Sequence, residues 1–335
     1  KDPLNPDVGK YIFTMKLYRD CDGITLPSTQ QTLNVWNHPS VSTISLQFIS
    51  NTDISPGCDA SNSGDPALDC ATNPVGAVEE YIYQSLPIAL VGAPPISNPP
   101  TPTTHGWHFT WDSCCRNSAI VNLATPSSDG FTMRASMFSY VDPLGNATPA
   151  DPCFDSSPIF NESPKTIICT GYPFSYTHNA SDSEMDSLVY SWDEPLDDFF
   201  GVYDPPTTPN LLTYTAPYTA SNPLPGNPTL NSQNGQISYT SNSSGNFVTV
   251  VRVDAYKCNQ LVAQIYREIQ AVLIACPPLA GGNINLPPSI VAPFPAPTPY
   301  YTSVSAGTLV TFNISASDRD LYTGGVPQDV FLEIT

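Results

Sequence analysis

The sequence predicts an all-β protein built from tandem immunoglobulin- or cadherin-like β-sandwiches, the last of them incomplete. Three observations lead there. Period-two alternation of apolar and polar residues dominates the chain. Proline is 37 of 335 residues and, with Gly, Asn, Ser and Thr, interrupts every window long enough for a helix. A stretch around Gly171 recurs around Gly307, as repeated modules would require.

The strands are expected in the following order. In 10–19, Phe13, Met15 and Leu17 share one face and Thr14, Lys16 and Tyr18 the other. Segments 41–48 and 80–86 alternate in the same way. In 106–112, Trp107, Phe109 and Trp111 fall on one face, and 131–140 follows. Then come 187–192, 246–256 and 261–274. The Pro/Gly/Asn/Ser runs at 93–104 and 204–234 are expected as turns and loops. Many short strands between turn clusters point to β-sandwiches.

In the repeat, Phe174 matches Val310, Tyr176 matches Phe312 and Asp182 matches Asp318, with Gly171 and Gly307 at the same distance from an Ala-Ser-Asp triplet. Proline-bearing lead-ins precede both copies. The expected organisation is a disulfide-rich sandwich at 1–156, an Ig/cadherin-like sandwich at 157–277, and the start of a further repeat at 278–335. Half a sandwich leaves an open sheet edge, so the polypeptide is expected to continue past Thr335, and an earlier portion is expected before Lys1.

Composition narrows function. With 30 acidic and 11 basic residues the net charge is −19. Such a surface repels phosphate backbones and anionic lipids, which argues against nucleic-acid and peripheral membrane binding. No run approaches the roughly 18 apolar residues of a membrane-spanning helix. No apolar signal region follows Lys1. Hydrophobic residues at 40% suffice for buried cores.

Nine cysteines without a zinc spacing indicate structural disulfides and an extracellular setting. The pairings expected are Cys58 with Cys70 and Cys169 with Cys276. Cys21, Cys114, Cys115 and Cys153 would form two more, leaving Cys258 unpaired. Neighbours in a strand face opposite ways, so Cys114 and Cys115 are expected to bridge to different partners. Sequons at Asn146, Asn161, Asn179, Asn242 and Asn313 would be glycan acceptors in a eukaryotic secreted protein.

Asp182-x-Glu184-x-Asp186 places three hard carboxylates on one loop, a set that suits Ca²⁺. Asp318 and Asp320 are the second-copy equivalents. The alternative is a solvated turn with Asp182 capping local amides. His105 and His108 lack a third metal ligand and are expected to be ordinary strand and loop residues. Trp107, Trp111, Tyr190 and Trp192 are expected in the core, the alternative being a carbohydrate-stacking platform. Arg116 and Arg267 are expected to pair with carboxylates or carbonyls and fix strand geometry. No nucleophile elbow, zincin helix, dinucleotide turn or P-loop occurs, so no catalysis is expected.

Six landmarks in order then resemble one family. They are Tyr18-Arg19-Asp20-Cys21-Asp22-Gly23, Glu79-Glu80-Tyr81-Ile82-Tyr83, Trp111-Asp112-Ser113-Cys114-Cys115-Arg116-Asn117 and Ile168-Cys169-Thr170-Gly171-Tyr172-Pro173-Phe174. The loop from Asp182 to Leu188 and the strand Tyr266-Arg267-Glu268-Ile269-Gln270, running on to Cys276, complete the set. Together they are similar to the large gliding-motility-associated surface adhesins of Bacteroidota. Glu184 and Met185 stand where that family has Asp and Gly, and Cys258 has no family partner. The resemblance implies type IX secretion, a cell-surface location and a long rod of Ig-like domains. It implies no particular ligand. Function is thus expected to be structural and adhesive. The alternatives are a self-assembling extracellular filament subunit joined by strand exchange or disulfides, and a carbohydrate-binding module of a secreted protein. The expected partners are neighbouring domains of the same chain and possible further copies of it; Ca²⁺ is the one cofactor considered.

Overall fold

In a computed structural model of the chain, residues 9–55, 69–74, 77–96, 106–145, 147–148, 155–164, 166–198, 211–275, 288–295, 302–305, 307–318 and 330 are described. Among them the protein is all-β, with no helix. The first strands are β1 (Thr14–Asp20), β2 (Gln31–Trp36), β3 (Thr43–Asp53), β4 (Val78–Gln84), β5 (Trp107–Ser113), β6 (Phe131–Met137), β7 (Tyr140–Val141) and β8 (Ala147–Thr148). Next come β9 (Ile159–Phe160), β10 (Ile167–Cys169), β11 (Pro173–Thr177), β12 (Ala180–Ser181), β13 (Ser187–Trp192), β14 (Thr229–Leu230) and β15 (Gln236–Thr240). The long hairpin of β16 (Gly245–Lys257) and β17 (Gln260–Ile274) precedes β18 (Ser289–Val291) and β19 (Ser315–Ser317).

Alternation becomes burial as elementary packing requires. Met15 and Leu17 of β1, Tyr81 and Tyr83 of β4, and Trp107, Phe109 and Trp111 of β5 all enter one core. The sheet order is β1-β4-β3-β2-β5-β6-β17-β16-β13, with β10 parallel to β17. A flat sheet would hold β1 and β5 about 19 Å apart, four strand spacings. Yet the rings of Phe13, just before β1, and Phe109 of β5 have centroids 4.6 Å apart. This part of the sheet therefore rolls around its own core.

A second core lies further along. Ile237 and Tyr239 of β15 pack with Val251 and Val253 of β16 and Leu273 of β17, so the small β11-β15-β14 sheet is layered on the large one. The two cores are separate, but the sheet is continuous: Ala135, Ser136 and Met137 of β6 pair with Ile265, Gln264 and Ala263 of β17. The segments expected as independent domains at 1–156 and 157–277 thus share a sheet. By compactness, 1–19, 23–54 and 79–275 form one unit, and 20–22, 55–78 and 276–335 another.

The repeat is visible in the backbone. Gly171 and Gly307 have φ of 84° and 86°, the left-handed region that favours glycine. In the first copy Ala180 and Ser181 pair with Phe160 and Ile159. In the second, Ala316 and Ser317 pair with Ile290 and Ser289. The same Ala-Ser ladder is built in both copies on a strand from the lead-in.

The disulfide expectations need correction. Cys70 pairs with Cys21, across Cα atoms 5.1 Å apart, and not with Cys58. The reason is local. The Cys21 N–H donates to the Ala77 carbonyl at 2.9 Å, while Asp69 caps the amides of Ala71 and Thr72 in a turn that presents Cys70. Cys169 is disulfide-bonded; its strand register sets it opposite Ile274. Cys58, Cys153 and Cys276 lie outside the described residues. Cys114 and Cys115, expected to bridge elsewhere, carry free exposed thiols, as does Cys258. The strand argument fails for the adjacent pair because β5 ends at Ser113 and Cys115 turns to φ 79°.

Candidate functional site

The acidic loop is assembled between β12 and β13. Asp182 Oδ1 accepts the amides of Glu184 at 2.9 Å and Asp186 at 3.1 Å. That capping winds the loop tightly enough to force Met185 to φ 62°, where its side chain stands 90% exposed. Glu184 folds back, accepting the amide and hydroxyl of Ser156. The register of β13 on β16, with Ser187 opposite Tyr256, carries Asp186 alongside Lys257.

Two residues not singled out from the sequence complete the site. Lys257 sits at the end of the β16–β17 hairpin, held there by a two-residue turn in which Cys258 and Asn259 both have positive φ (48° and 65°). Its Nζ lies 2.7 Å from Asp155 Oδ1 and 3.7 Å from Asp186 Oδ2. Asp155 is buried. Burial pushes its carboxyl up to about 6; Lys257 opposes the shift, while Asp186 and Glu184 add to it. Burial likewise raises Asp182. Burial opposes the charge on Lys257, but Asp155, Asp186 and Glu184 hold its pKa above the usual lysine range.

The cluster gathers carboxylates around a lysine ammonium. Asp155, Asp186 and Glu184 act on the Lys257 ammonium, and Asp155 Oδ2, Asp182 Oδ2 and Asp186 Oδ2 are buried without a hydrogen bond. Hard oxygens of this kind fit Ca²⁺, and Lys257 already supplies one positive charge among them. Asp182 caps local amides, as the turn reading expects, and Asp186 lies beside the Lys257–Asp155 ion pair. Of the second-copy pair, Asp318 is half-buried and Asp320 lies outside the described residues.

The cations expected to fix strand geometry do so. Arg116 donates through Nε to Gly130 O at 2.6 Å and through Nη2 to Leu196 O at 2.9 Å, and pairs through Nη1 and Nη2 with Glu268 of β17. Arg267 donates to the Glu162 carbonyl at 2.8 Å and to Tyr176 Oη at 3.1 Å, with its guanidinium 4.0 Å from the Phe160 ring centroid. Trp107, Trp111 and Tyr190 are buried and Trp192 packs against the second core, so these rings do not form an exposed platform. His108 is buried against Ser136 Oγ at 2.8 Å; His105 lies outside the described residues. Asn161, Asn242 and Asn313 are exposed, Asn179 is half-buried, and Asn146 lies outside the described residues.

His178 was not legible as a special residue. It is fully buried, both ring nitrogens lack hydrogen-bond partners, and its rim includes Phe160 and Tyr176. Burial, with Arg267 nearby, pushes its pKa down to about 3.

No family model, curated protein or solved structure matches this chain.

Proposed function

We propose that this chain is a structural and adhesive segment of a long extracellular surface protein made of tandem Ig-like β-sandwiches. Its work is mechanical, with no catalytic step. The observation that carries the proposal is the repeated ladder, 180–181 on 159–160 and 316–317 on 289–290. A chain that builds the same strand pairing twice is organised as serial modules. The Cys21–Cys70 bridge and the six landmarks similar to the gliding-associated adhesins support the extracellular setting. Load is borne by continuous ladders such as the β16–β17 hairpin, pinned sideways by Arg116 and Arg267. Ca²⁺ held by Asp155, Asp182 and Asp186 would neutralise the carboxylates of the first copy and stiffen its β12–β13 loop.

Electron microscopy of native material, immunolabelled against this segment, tests the reading. The expected image is a long fibre anchored at one end, with the epitope at one or a few positions. An epitope recurring at a fixed short spacing would mean a polymerised subunit. Compact particles near 36.1 kDa would overturn the proposal.

A further inference from the structure

We propose that Cys114 and Cys115 are joined to each other, as a vicinal disulfide on the loop that leaves β5. Both thiols are free and exposed. The last ladder pair of β5, Ser113 with Phe131, fixes the loop on one side. On the other, the Arg116 N–H donates to Asp129 O at 2.9 Å, and the Arg116 side chain is tied to Gly130, Leu196 and Glu268. Between these anchors the backbone turns at Cys115, with φ 79°. The turn removes the strand alternation that would separate the side chains of two residues adjacent in the chain.

Geometry also removes competitors among the described residues. Cys21 and Cys169 are already bonded. Cys258 caps the hairpin next to Gln260, whereas Arg116 anchors its loop at Glu268 of the same strand. Eight residues of strand span about 27 Å, and a disulfide requires Cα atoms within about 7 Å.

The bond forms by exchange with a low-molecular-weight disulfide, RSSR. One cysteine thiolate attacks a sulfur of RSSR and expels RS⁻. The neighbouring thiolate then attacks the protein-side sulfur of the mixed disulfide and expels the second RS⁻. The two protons lost by the cysteines go to the two leaving thiolates, so one dithiol is oxidised and one RSSR becomes two RSH. The adjacent Cys114 thiol, with Asp198 nearby, raises the Cys115 pKa, which favours exchange at alkaline pH. Adjacent Cα atoms are about 3.8 Å apart, below the usual disulfide range of about 4.4–6.8 Å. The ring is therefore strained and exposed, and more easily reduced than Cys21–Cys70.

The test uses the whole chain, purified without reductant and incubated with glutathione disulfide. It is then denatured, alkylated with iodoacetamide and mapped by mass spectrometry after peptic digestion. The fragment spanning 112–118 should be unalkylated and lighter than the dithiol by the mass of two hydrogens. It should gain two alkyl groups after reduction. A fragment cross-linked to another cysteine peptide, or one already doubly alkylated, overturns the proposal. A second measurement uses phenylarsine oxide, which chelates paired thiols. Wild-type protein, reduced only as far as leaves the Cys21–Cys70 peptide linked, should bind it, and Cys115→Ser treated in the same way should lose that binding. Equal binding by both proteins would also overturn the proposal.

Discussion

Two single residues, Lys257 and His178, carry charge problems that alternation does not announce. Lys257 sets its ammonium against Asp155, Asp186 and Glu184. Lys257→Met should destabilise the protein by about 1–3 kcal/mol at pH 7.5, a range discounted because the ammonium is partly exposed. The loss should shrink towards pH 5. Asp155 has a folded pKa raised to about 6, so its neutral form is the comfortable one. A group raised in this way contributes stability that is full below its unfolded pKa, about 3.9, and lost as pH rises through 6. If Ca²⁺ takes these oxygens, millimolar calcium should restore the Tm of the variant, and a chelator should lower that of the wild type. Unmoved melting curves in both cases would remove calcium from the account. His178 acts in the opposite sense. Its folded pKa of about 3 lies below the unfolded value, so stability is full above about 6.5 and falls as pH drops towards 3. The slope approaches about 1.4 kcal/mol per pH unit for one proton. His178→Leu should flatten that slope between pH 4 and 6 in urea titrations; an unchanged slope would show that His178 is protonated in the fold.

At the scale of elements, Arg116 ties the loop after β5, the start of β6 and the middle of β17 into one unit. Arg116→Met should cost about 3–5 kcal/mol, because it leaves Glu268 without its cation and two carbonyls without a donor. Arg116→Lys should recover little, since one ammonium cannot reproduce the guanidinium fork. Denaturant midpoints of the two variants decide this, and a near-native lysine variant would contradict the clamp. Of the strands of six residues or more, all but β2 were legible. The segments 80–86, 106–112 and 187–192 fall within one or two residues of β4, β5 and β13. β2 was missed, although Leu33 and Val35 are core residues. Its six residues hold too few apolar side chains for alternation to stand out from the polar run around it. β11 and β15 were missed for a similar reason: they are short, and they gain stability by pairing with each other and packing on β16.

Across the whole molecule, the Cys21–Cys70 bridge closes a separation of 49 residues. Constraining a loop of that size in the unfolded chain is worth about 4 kcal/mol by the chain-entropy relation. The double variant Cys21→Ala/Cys70→Ala should lose about that much, read as a lower Tm in the absence of reductant. A double variant as stable as the wild type would mean that the bridge constrains nothing that folding requires. Reduction of wild-type protein should produce at least that drop, since it opens the bond of Cys169 as well as the link from the end of β1 to the chain just before β4.

The all-β class, the core faces of β1, β4 and β5, the acidic loop and the repeat were legible in the amino-acid sequence. Each depends on local chemistry: period-two burial, carboxylates two residues apart, and glycine where φ is positive. Tertiary structure alone decided that Cys70 meets Cys21, that Cys114 and Cys115 stand free and exposed on the turn after β5, and that Asp155 and Lys257 join the acidic loop. It also decided that β6 and β17 make one sheet of two expected domains. These outcomes depend on which backbone edges meet and in what register. A strand's side chains show which face is buried, but its N–H and C=O groups are the same in every strand, so its pairing partner is settled only when the chain packs.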